Sequence, residues 1–349
     1  MTEQSPNSEG GTGEENSVLV TGGAGFIGSH VAERLLESGW DVHVVDNCFA
    51  GSRDLVPDRA TLYEVDIRSD EFRRLVRGVG PRRIVHLAAL HYIPYCNEHP
   101  EEAFDVNVIG SRNVYRVARE IDDLESVVFA SSAAVYPPGD APNREEDEVE
   151  PIDIYGQTKL VGEDLLELFA NDMEDENVSC VAARLFNVFG DDETNPHLIP
   201  AILDQLREGD RTLTLGNLTP KRDFVHVSDV ANALVALSDG FDGTYRAFNV
   251  GTGTECSVRE VVGYVGGLLG EDIEITQTEQ RTRKSDRQHL CANVERIRTE
   301  IGWEPRLSFV DGLDDLLERE PIPAGAGEPV EREGEEKTAP DIEPTERER

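Results

Sequence analysis

The chain has 349 residues, of which 38% are hydrophobic, enough for a sizeable core and one or two domains. It carries 70 Asp and Glu against 33 Lys and Arg, a formal net charge of −37. Such a surface would repel a phosphate backbone, which excludes non-specific nucleic-acid binding but leaves room for one basic pocket that holds a phosphorylated ligand.

The hydrophobic pattern alternates between short apolar runs and helical periodicity from about residue 17 onward. Such alternation predicts an α/β fold, a Rossmann-type doubly wound parallel sheet. The predicted strands are 18–20, 41–46, 83–88, 126–131, 179–184 and 247–250, and the predicted helices include 26–37, 106–120 and 228–237.

The two ends differ from the body in composition. Residues 1–16 and 319–349 have almost no large apolar side chains, so we expect both to be disordered, the second as an acidic tail. Between them we expect a cofactor-binding domain over 17–190, with a return segment near 222–251, and a smaller α/β substrate-binding domain over 191–318. Neither a signal peptide nor a membrane-spanning segment is expected.

A glycine-rich turn follows the first predicted strand and opens the first helix. Gly22, Gly25 and Gly28 are spaced for a tight turn, a close approach to a pyrophosphate and close packing of helix on strand. Asp46, followed by Asn47, ends the second strand, where a carboxylate accepts ribose hydroxyls and repels a 2′-phosphate. The pattern therefore predicts an NAD site, in preference to NADP, and the alternative is a glycine turn that binds nothing.

Tyr155 and Lys159 lie one helical turn apart and therefore on one helix face. A tyrosine that acts as a base near neutral pH needs its pKa lowered by ~3 units, about 4 kcal/mol of preferential stabilisation of the phenolate. A nearby ammonium and the positive ring of NAD⁺ would supply it. Taken alone, the pair is equally consistent with an exposed helix face.

Two serines, Ser131 and Ser132, end the strand before this pair. The carboxyl ends of parallel strands are where α/β sheets bind ligands, so a serine there can relay a proton to Tyr155. The alternative is that they only cap the end of the strand.

Together these segments resemble the extended short-chain dehydrogenase/reductase family, and within it the nucleotide-sugar epimerases of the UDP-glucose 4-epimerase type. The likeness covers about 17–305. The segments that carry it are 21–28, 86–89, 107–114, 131–136, 155–159, 184–190, 222–227 and 301–303.

The resemblance implies roles for individual residues. It implies that Ser132, rather than Ser131, joins Tyr155 and Lys159 as the catalytic set, and that Asn187 and Arg222 meet the substrate diphosphate. Arg283 and Asp286 resemble an Arg-x-Gly-Asp stretch that binds phosphate and nucleotide ribose, although Ser285 replaces its glycine. The implied cofactor contacts are Gly22, Gly25, Phe26, Ile27, Gly28, Asp46, Asn47, Asp66, Ile67, Leu87, Ala88, Ala89, Asn107, Tyr155 and Lys159. Asp66 and Ile67 could equally be an ordinary strand end.

The residues after Ser132 bear on the reaction. Related dehydratases have an acid pair directly after the serine. Related decarboxylases keep a glutamate two residues before the tyrosine that corresponds to Tyr136. This chain has Ala133 and Ala134 after the serine, and methyl groups cannot transfer protons. The resemblance therefore implies NAD-dependent epimerisation of a nucleotide sugar at C4 by a homodimer. A dehydratase, decarboxylase or reductase of the same family, and a non-catalytic NAD-binding protein, are the alternatives.

The segment 90–98 departs from that resemblance because it is aromatic and rich in histidine, which favours an unusual sugar. His91 is either a polar contact to that sugar or a packed loop histidine.

The lysine and cysteine usage bears on the environment of the protein. Only four lysines occur, so arginine supplies most of the positive charge, and the acidic composition predicts a protein adapted to high salt. The alternative is a moderately acidic protein with acidic tails. The five cysteines are scattered, which favours reduced thiols in the cytoplasm, and we expect no metal site.

Overall fold

The computed structural model describes residues 16–193, 195–241, 243–278 and 287–323. Of the two ends predicted to be disordered, only Asn16 and residues 319–323 lie inside these ranges. The other residues of both ends, and the predicted substrate contacts Arg283 and Asp286, lie outside them.

Seven parallel strands form the main sheet. They are β1 (Ser17–Thr21), β2 (Asp41–Asp46), β3 (Thr61–Glu64), β4 (Arg83–His86), β5 (Ser126–Ser132), β6 (Ser179–Leu185) and β10 (Tyr245–Val250). Their spatial order is β10-β6-β5-β4-β1-β2-β3, so the chain runs outward from β1 to β3 and then crosses back to β4. This reversal opens a crevice at the carboxyl ends of β1 and β4, the usual ligand site of such sheets.

Helices cover both faces of the sheet because its strands are apolar on both sides. Val18 and Val20 pack into one core with α1 (Phe26–Glu37) and α8 (Val227–Ser238), whereas Leu19 packs into the other. The second face carries α2 (Asp70–Val79), α5 (Gly110–Ala118) and α6 (Ile154–Asp172). The predicted doubly wound fold is confirmed.

Short helices connect these layers. They are α3 (Ile93–Glu98), α4 (Pro100–Phe104), α10 (Glu295–Glu300), three single 3₁₀ turns (Arg53–Leu55, Ala133–Val135 and Glu174–Glu176) and a π-helical turn (Asp105–Ile109). The helix predicted over 106–120 is confirmed over 106–118, and its first turn is π-helical. Asn107 in the π turn exchanges hydrogen bonds with the backbone of Leu90, a tertiary contact that periodicity does not reveal.

A smaller second unit lies beyond the carboxyl ends of β5 and β6. Its strands are β7 (Asn187–Phe189), β9 (Lys221–His226), β11 (Glu255–Ser257) and β13 (His289–Leu290), with a separate parallel pair, β8 (Thr212–Leu215) and β12 (Glu274–Gln277). Its own core includes side chains from α7 (Leu198–Arg207), α9 (Val258–Leu269) and α11 (Phe309–Arg319). The segment 222–251 divides between the units, since β9 belongs to the small sheet whereas α8 and β10 pack on the large one.

Among the described helices, none combines the length and the apolarity that a bilayer span requires.

Candidate functional site

A pocket of about 550 Å³ lies between the two units, and nearly all the predicted site residues inside the described ranges line it. The exception is Asn107, which is buried behind the wall and whose amide bonds Leu90 and Thr158. Asn107 therefore positions the loop that carries Leu90, and the neighbouring Val106 reaches the pocket instead.

The glycine-rich turn forms the floor of one half of the pocket. Gly22 has φ +75°, and a Cβ there would lie 2.6 Å from the backbone nitrogen of Ala88. A Cβ on Gly28 would overlap the carbonyl oxygen of Gly22, so α1 can begin this close to β1 only with glycine here. No side chain caps the start of α1 at Gly25, which leaves first-turn N–H groups for a ligand phosphate.

Asp46 stands at the end of β2 beside this turn. Its two carboxylate oxygens accept hydrogen bonds from the backbone nitrogens of Ala24 (3.1 Å) and Cys48 (2.8 Å). Each oxygen keeps a second lone pair that can accept a ribose hydroxyl. Burial raises the pKa of Asp46, with the backbone hydrogen bonds opposing that rise.

The remaining predicted cofactor residues line the same half of the pocket. They are Phe26 and Ile27 at the start of α1, Asn47 after β2, Asp66 and Ile67 after β3, and Leu87, Ala88 and Ala89 after β4. Asp66 is held by two hydrogen bonds to the guanidinium of Arg68. A crevice with glycines where a Cβ would collide, and a carboxylate at its ribose end, fits a dinucleotide.

The predicted catalytic residues meet at the centre of the pocket. Ser132 ends β5, Tyr155 and Lys159 lie on the first turns of α6, and all three line the pocket. Between them, Gly156 packs on the carbonyl oxygen of Ala134, where a Cβ would overlap. Gly156 therefore lets α6 approach the turn after Ser132, a requirement that sequence analysis missed although the glycine stands inside the motif.

The electrostatics of this set differ from the expectation. Burial raises the pKa of Tyr155 above its usual value, and the nearby Ser132 side chain opposes that rise. Burial lowers the pKa of Lys159 to about 7, and its Nζ donates to the carbonyl oxygen of Ala130 at 2.8 Å, 5.7 Å from the Tyr155 ring centroid. The sequence analysis expects Lys159 to help lower the pKa of Tyr155. In the structure, desolvation of Tyr155 outweighs the other effects, so the protein surroundings by themselves do not lower this pKa.

The two serines have different partners. Ser131 is buried and donates to Glu163, which forms a buried ion pair with Arg184 at 2.7 Å. Ser132 is half-buried and faces Tyr155. This geometry supports Ser132 as the catalytic serine, and the Ser131–Glu163–Arg184 network beneath it was not anticipated from sequence.

The substrate half of the pocket is built by the small unit. Asn187 and Arg222 lie on the paired strands β7 and β9, and both line the pocket. Arg222 donates from Nη1 to the carbonyl oxygens of Lys221 (2.8 Å) and Arg287 (2.7 Å).

Several side chains of this half were not singled out by sequence analysis. Glu193 and His197 pair with each other in the segment that follows β7, and His197 Nδ1 contacts the Glu193 carboxylate. Asn195, in the same segment, contacts Nε2 of His91, the loop histidine already considered as a sugar contact, at 2.8 Å. The signal for Glu193, Asn195 and His197 in the sequence was their position after the carboxyl end of a strand, but that strand, β7, was not predicted.

Comparison with known families and proteins gives consistent results. Residues 18–251 match the model of the NAD-dependent epimerase/dehydratase family. A putative UDP-glucose 4-epimerase of Methanocaldococcus jannaschii is 30% identical over 86% of this chain and 97% of its own length. The UDP-glucose 4-epimerase of Corynebacterium glutamicum is 33% identical over 82% and 90%, respectively.

Solved structures agree with this likeness. UDP-glucose 4-epimerase from Thermus thermophilus, in complex with NAD, has a TM-score of 0.77 and 30% identity over 86% of this chain and 98% of its own. The enzyme from Thermotoga maritima with UDP-glucose has a TM-score of 0.80 and 27% identity over 86% and 97%. MoeE5 in complex with UDP-glucuronic acid and NAD has a TM-score of 0.76 and 31% identity over 87% and 98%.

Proposed function

The chain belongs to the NAD-dependent epimerase/dehydratase family, and from that premise we propose that it is an NAD-dependent 4-epimerase of a UDP-linked hexose. The observation that carries the proposal is the Ser132–Tyr155–Lys159 set at the centre of a pocket, with a dinucleotide crevice on one side and Asn187 and Arg222 on the other. Both the crevice and the set belong to one continuous cavity, as hydride exchange between cofactor and sugar requires.

The cofactor half would hold NAD through the glycine-rich turn at its diphosphate and Asp46 at a ribose. When bound, NAD would supply reversible hydride transfer at the sugar carbon, with the hydride returning to the opposite face. The chain supplies binding, orientation and proton transfer. Lys159 reaches the same region, where a protonated ammonium would hold a ribose hydroxyl and favour the tyrosinate.

Tyr155 would take the proton from the sugar O4 hydroxyl, beside or through Ser132, and return it after the sugar turns. Because burial raises the tyrosine pKa, the phenolate must be stabilised by positive charge that arrives with the cofactor. Arg222 would hold the diphosphate during the turn, since guanidinium binds phosphate oxygens through two parallel hydrogen bonds.

The residues next to Ser132 argue against the related elimination reactions. Ala133 and Ala134 are buried methyl side chains, so no acid stands directly after the serine to protonate a leaving group. Epimerisation needs only the Tyr155 proton path and a reversible hydride transfer.

The test is a panel of nucleotide sugars incubated with the purified chain and NAD, with the products identified by NMR. We expect interconversion of C4 epimers without net NADH. No epimer from any UDP-hexose would contradict the proposal, and so would steady accumulation of NADH.

We also propose a homodimer that pairs through the α5 and α6 side of the large unit. Phe104, Ile109 and Leu168 are exposed there, with 60% of Leu168 accessible. Large apolar side chains on neighbouring helices support an interface. Light scattering that gives the mass of one chain would contradict this assembly.

We also propose that the protein is cytoplasmic and adapted to high salt. The five cysteines all lie in the described ranges and none is in a disulfide, which supports a reducing cytoplasm. The charge of −37 supports adaptation to high salt. We expect the melting temperature to rise in molar KCl, and an unchanged value in dilute buffer would contradict salt adaptation; cell fractionation tests the location.

A further inference from the structure

Arg287 is a buried arginine that joins the small unit to the large one. It lies just before β13, and only 8% of its side chain is exposed. Its Nε donates to the carbonyl oxygen of Tyr136 at 3.2 Å, and its Nη2 donates to the carbonyl oxygen of Ala134 at 3.0 Å. These two oxygens lie in and directly after the 3₁₀ turn that follows Ser132. A side chain of the small unit therefore holds the backbone next to the catalytic serine.

The same guanidinium of Arg287 also faces the start of α6. Its Nη1 lies 3.5 Å from Oδ2 of Asp153, whose side chain is likewise only 8% exposed. The other oxygen of Asp153, Oδ1, accepts the backbone N–H of Gly156 at 2.8 Å and so caps the helix that carries Tyr155. One buried cation therefore contacts both the backbone that follows Ser132 and the carboxylate that caps the Tyr155 helix.

The backbone of Arg287 contacts the substrate half of the pocket instead. Its carbonyl oxygen accepts a hydrogen bond from Nη1 of Arg222 at 2.7 Å. Strand β13, which follows, pairs in parallel with β9, with Leu290 opposite Arg222. Arg287 thus connects the arginine proposed to hold the diphosphate to the residues around Ser132 and Tyr155.

This connection spans the same distance as the substrate. In the proposed reaction, the diphosphate stays on Arg222 while the sugar is oxidised and reduced beside Tyr155. An anchored substrate reacts fast only if the anchor and the reacting groups keep a fixed separation, and an error of about 1 Å can cost about 10²-fold in rate. Because Arg222 and Tyr155 belong to different units, a contact that fixes one unit against the other affects the chemistry directly.

The choice of arginine at this buried position favours a role in geometry. Apolar side chains of similar volume often replace buried ion pairs without loss of stability, so the contact does not need a charge merely to fill the core. Arg287 instead bonds two carbonyl oxygens and faces a carboxylate, groups that an apolar side chain could not orient. Its planar guanidinium has donors in fixed directions, which suits this set of acceptors.

We propose that Arg287 is a positioning residue for the epimerisation, which fixes Arg222 relative to Ser132 and Tyr155. This inference rests on the proposed 4-epimerase function and names a residue that serves the reaction without lining the pocket. Loss of the contact should therefore slow the reaction, while each half of the pocket still binds its own ligand.

The test uses Arg287→Lys, with Arg296→Lys as the matched control. Lysine keeps the positive charge but lacks the planar set of donors. Arg296, in α10, also donates to a backbone oxygen of the large unit, that of Ala247 at 3.1 Å, and pairs with Glu146 at 2.9 Å. None of these three residues is among those that line the pocket. Kinetics are measured with the UDP-hexose that the wild type epimerises fastest, and titrations with NAD and with UDP report the two halves separately.

We expect kcat of Arg287→Lys to fall by about tenfold to a hundredfold, with KM and the affinities for NAD and UDP close to the wild-type values. Arg296→Lys should keep the wild-type kcat. A merely structural role for Arg287 would instead reduce the fraction of chains that bind NAD and leave kcat per bound NAD unchanged, and that result would overturn the inference. A wild-type kcat in Arg287→Lys would also overturn it, and so would a fall in UDP affinity that accounts for the loss.

Asp153→Asn provides a second measurement in case Arg287→Lys does not fold. Asparagine still caps α6, because its side-chain oxygen accepts the N–H of Gly156, but it lacks the charge that faces Arg287. We expect a smaller fall in kcat, again with NAD and UDP bound normally, and no further fall when this change is added to Arg287→Lys.

A wild-type kcat in Asp153→Asn, or losses that multiply in the double variant, would overturn the positioning role of Arg287 and leave the proposed function standing. A wild type that epimerises no UDP-hexose would overturn the proposed function and, with it, this inference.

Discussion

The two halves of the pocket are built in different ways. The cofactor half is made mainly of backbone, with Gly22 and Gly28 set where a Cβ would collide and Asp46 bonded to two backbone nitrogens. The substrate half is made of side chains, such as His91 and His197, that are brought together from distant parts of the chain. A site built from backbone atoms is defined by a short stretch of sequence and suits one fixed ligand. A site built from side chains can be altered by substitutions to fit a different sugar.

The largest expected effect lies where the two halves meet. Tyr155→Phe removes the hydroxyl that carries the proton but keeps the ring, so kcat should fall by about 10²–10⁴ while NAD binding persists. Steady-state kinetics and NAD titration measure the two quantities. Tyr92→Phe, at a second tyrosine that lines the pocket, is the control and should lose far less. Near-normal kcat in Tyr155→Phe would remove Tyr155 from the mechanism.

The substrate half should respond in KM without a change in cofactor affinity. Arg222→Gln removes a guanidinium from the diphosphate position, and a hydrogen bond to a charged group contributes about 1.5–3 kcal/mol, so KM should rise by at least about tenfold. Arg222→Lys keeps the charge but lacks the planar guanidinium, so its KM should lie between those of the wild type and Arg222→Gln. If both variants bind NAD less well but keep the wild-type KM for the sugar nucleotide, Arg222 does not serve the substrate half separately from the cofactor half.

A buried histidine gives the large unit a pH dependence. His86 is fully buried between Thr21 and Ser111, and burial lowers its pKa to about 3. The unfolded chain binds this proton below about pH 6.5 and the folded chain does not, so stability falls as the pH drops from there towards 3.

At pH 5 the loss from His86 should be about 2 kcal/mol relative to neutral pH. Denaturant unfolding at several pH values measures it, and His86→Gln, which cannot titrate, should show a shallower slope over this range. An identical slope in the variant would show that His86 does not carry the effect.

The difference between the halves also explains what sequence could predict. The glycine turn, Asp46 and the Tyr155–Lys159 pair are each defined within one strand–turn–helix or one helical turn, so local spacing was enough to find them. The pairing of Glu193 with His197 depends on where the segment after β7 folds, and the π turn at Asn107 depends on its bonds to Leu90. The electrostatics also escaped prediction, because desolvation of Tyr155 depends on the walls around it.

The smallest expected effect tests the claim that the cofactor half is specified by backbone contact. Gly28→Ala places a methyl group against the Gly22 carbonyl oxygen, and overpacking of this kind costs about 1–3 kcal/mol. The start of α1 must then move away from the phosphates, so NAD affinity should fall by about tenfold.

Gly78→Ala is the matched control, since Gly78 lies in helix α2 and a Cβ there meets nothing within 4 Å. It should leave NAD affinity unchanged and raise stability by up to about 1 kcal/mol, because alanine is the better helix former. Equal NAD affinity in both variants, measured by titration, would mean that the close contact at Gly28 does not set the cofactor site.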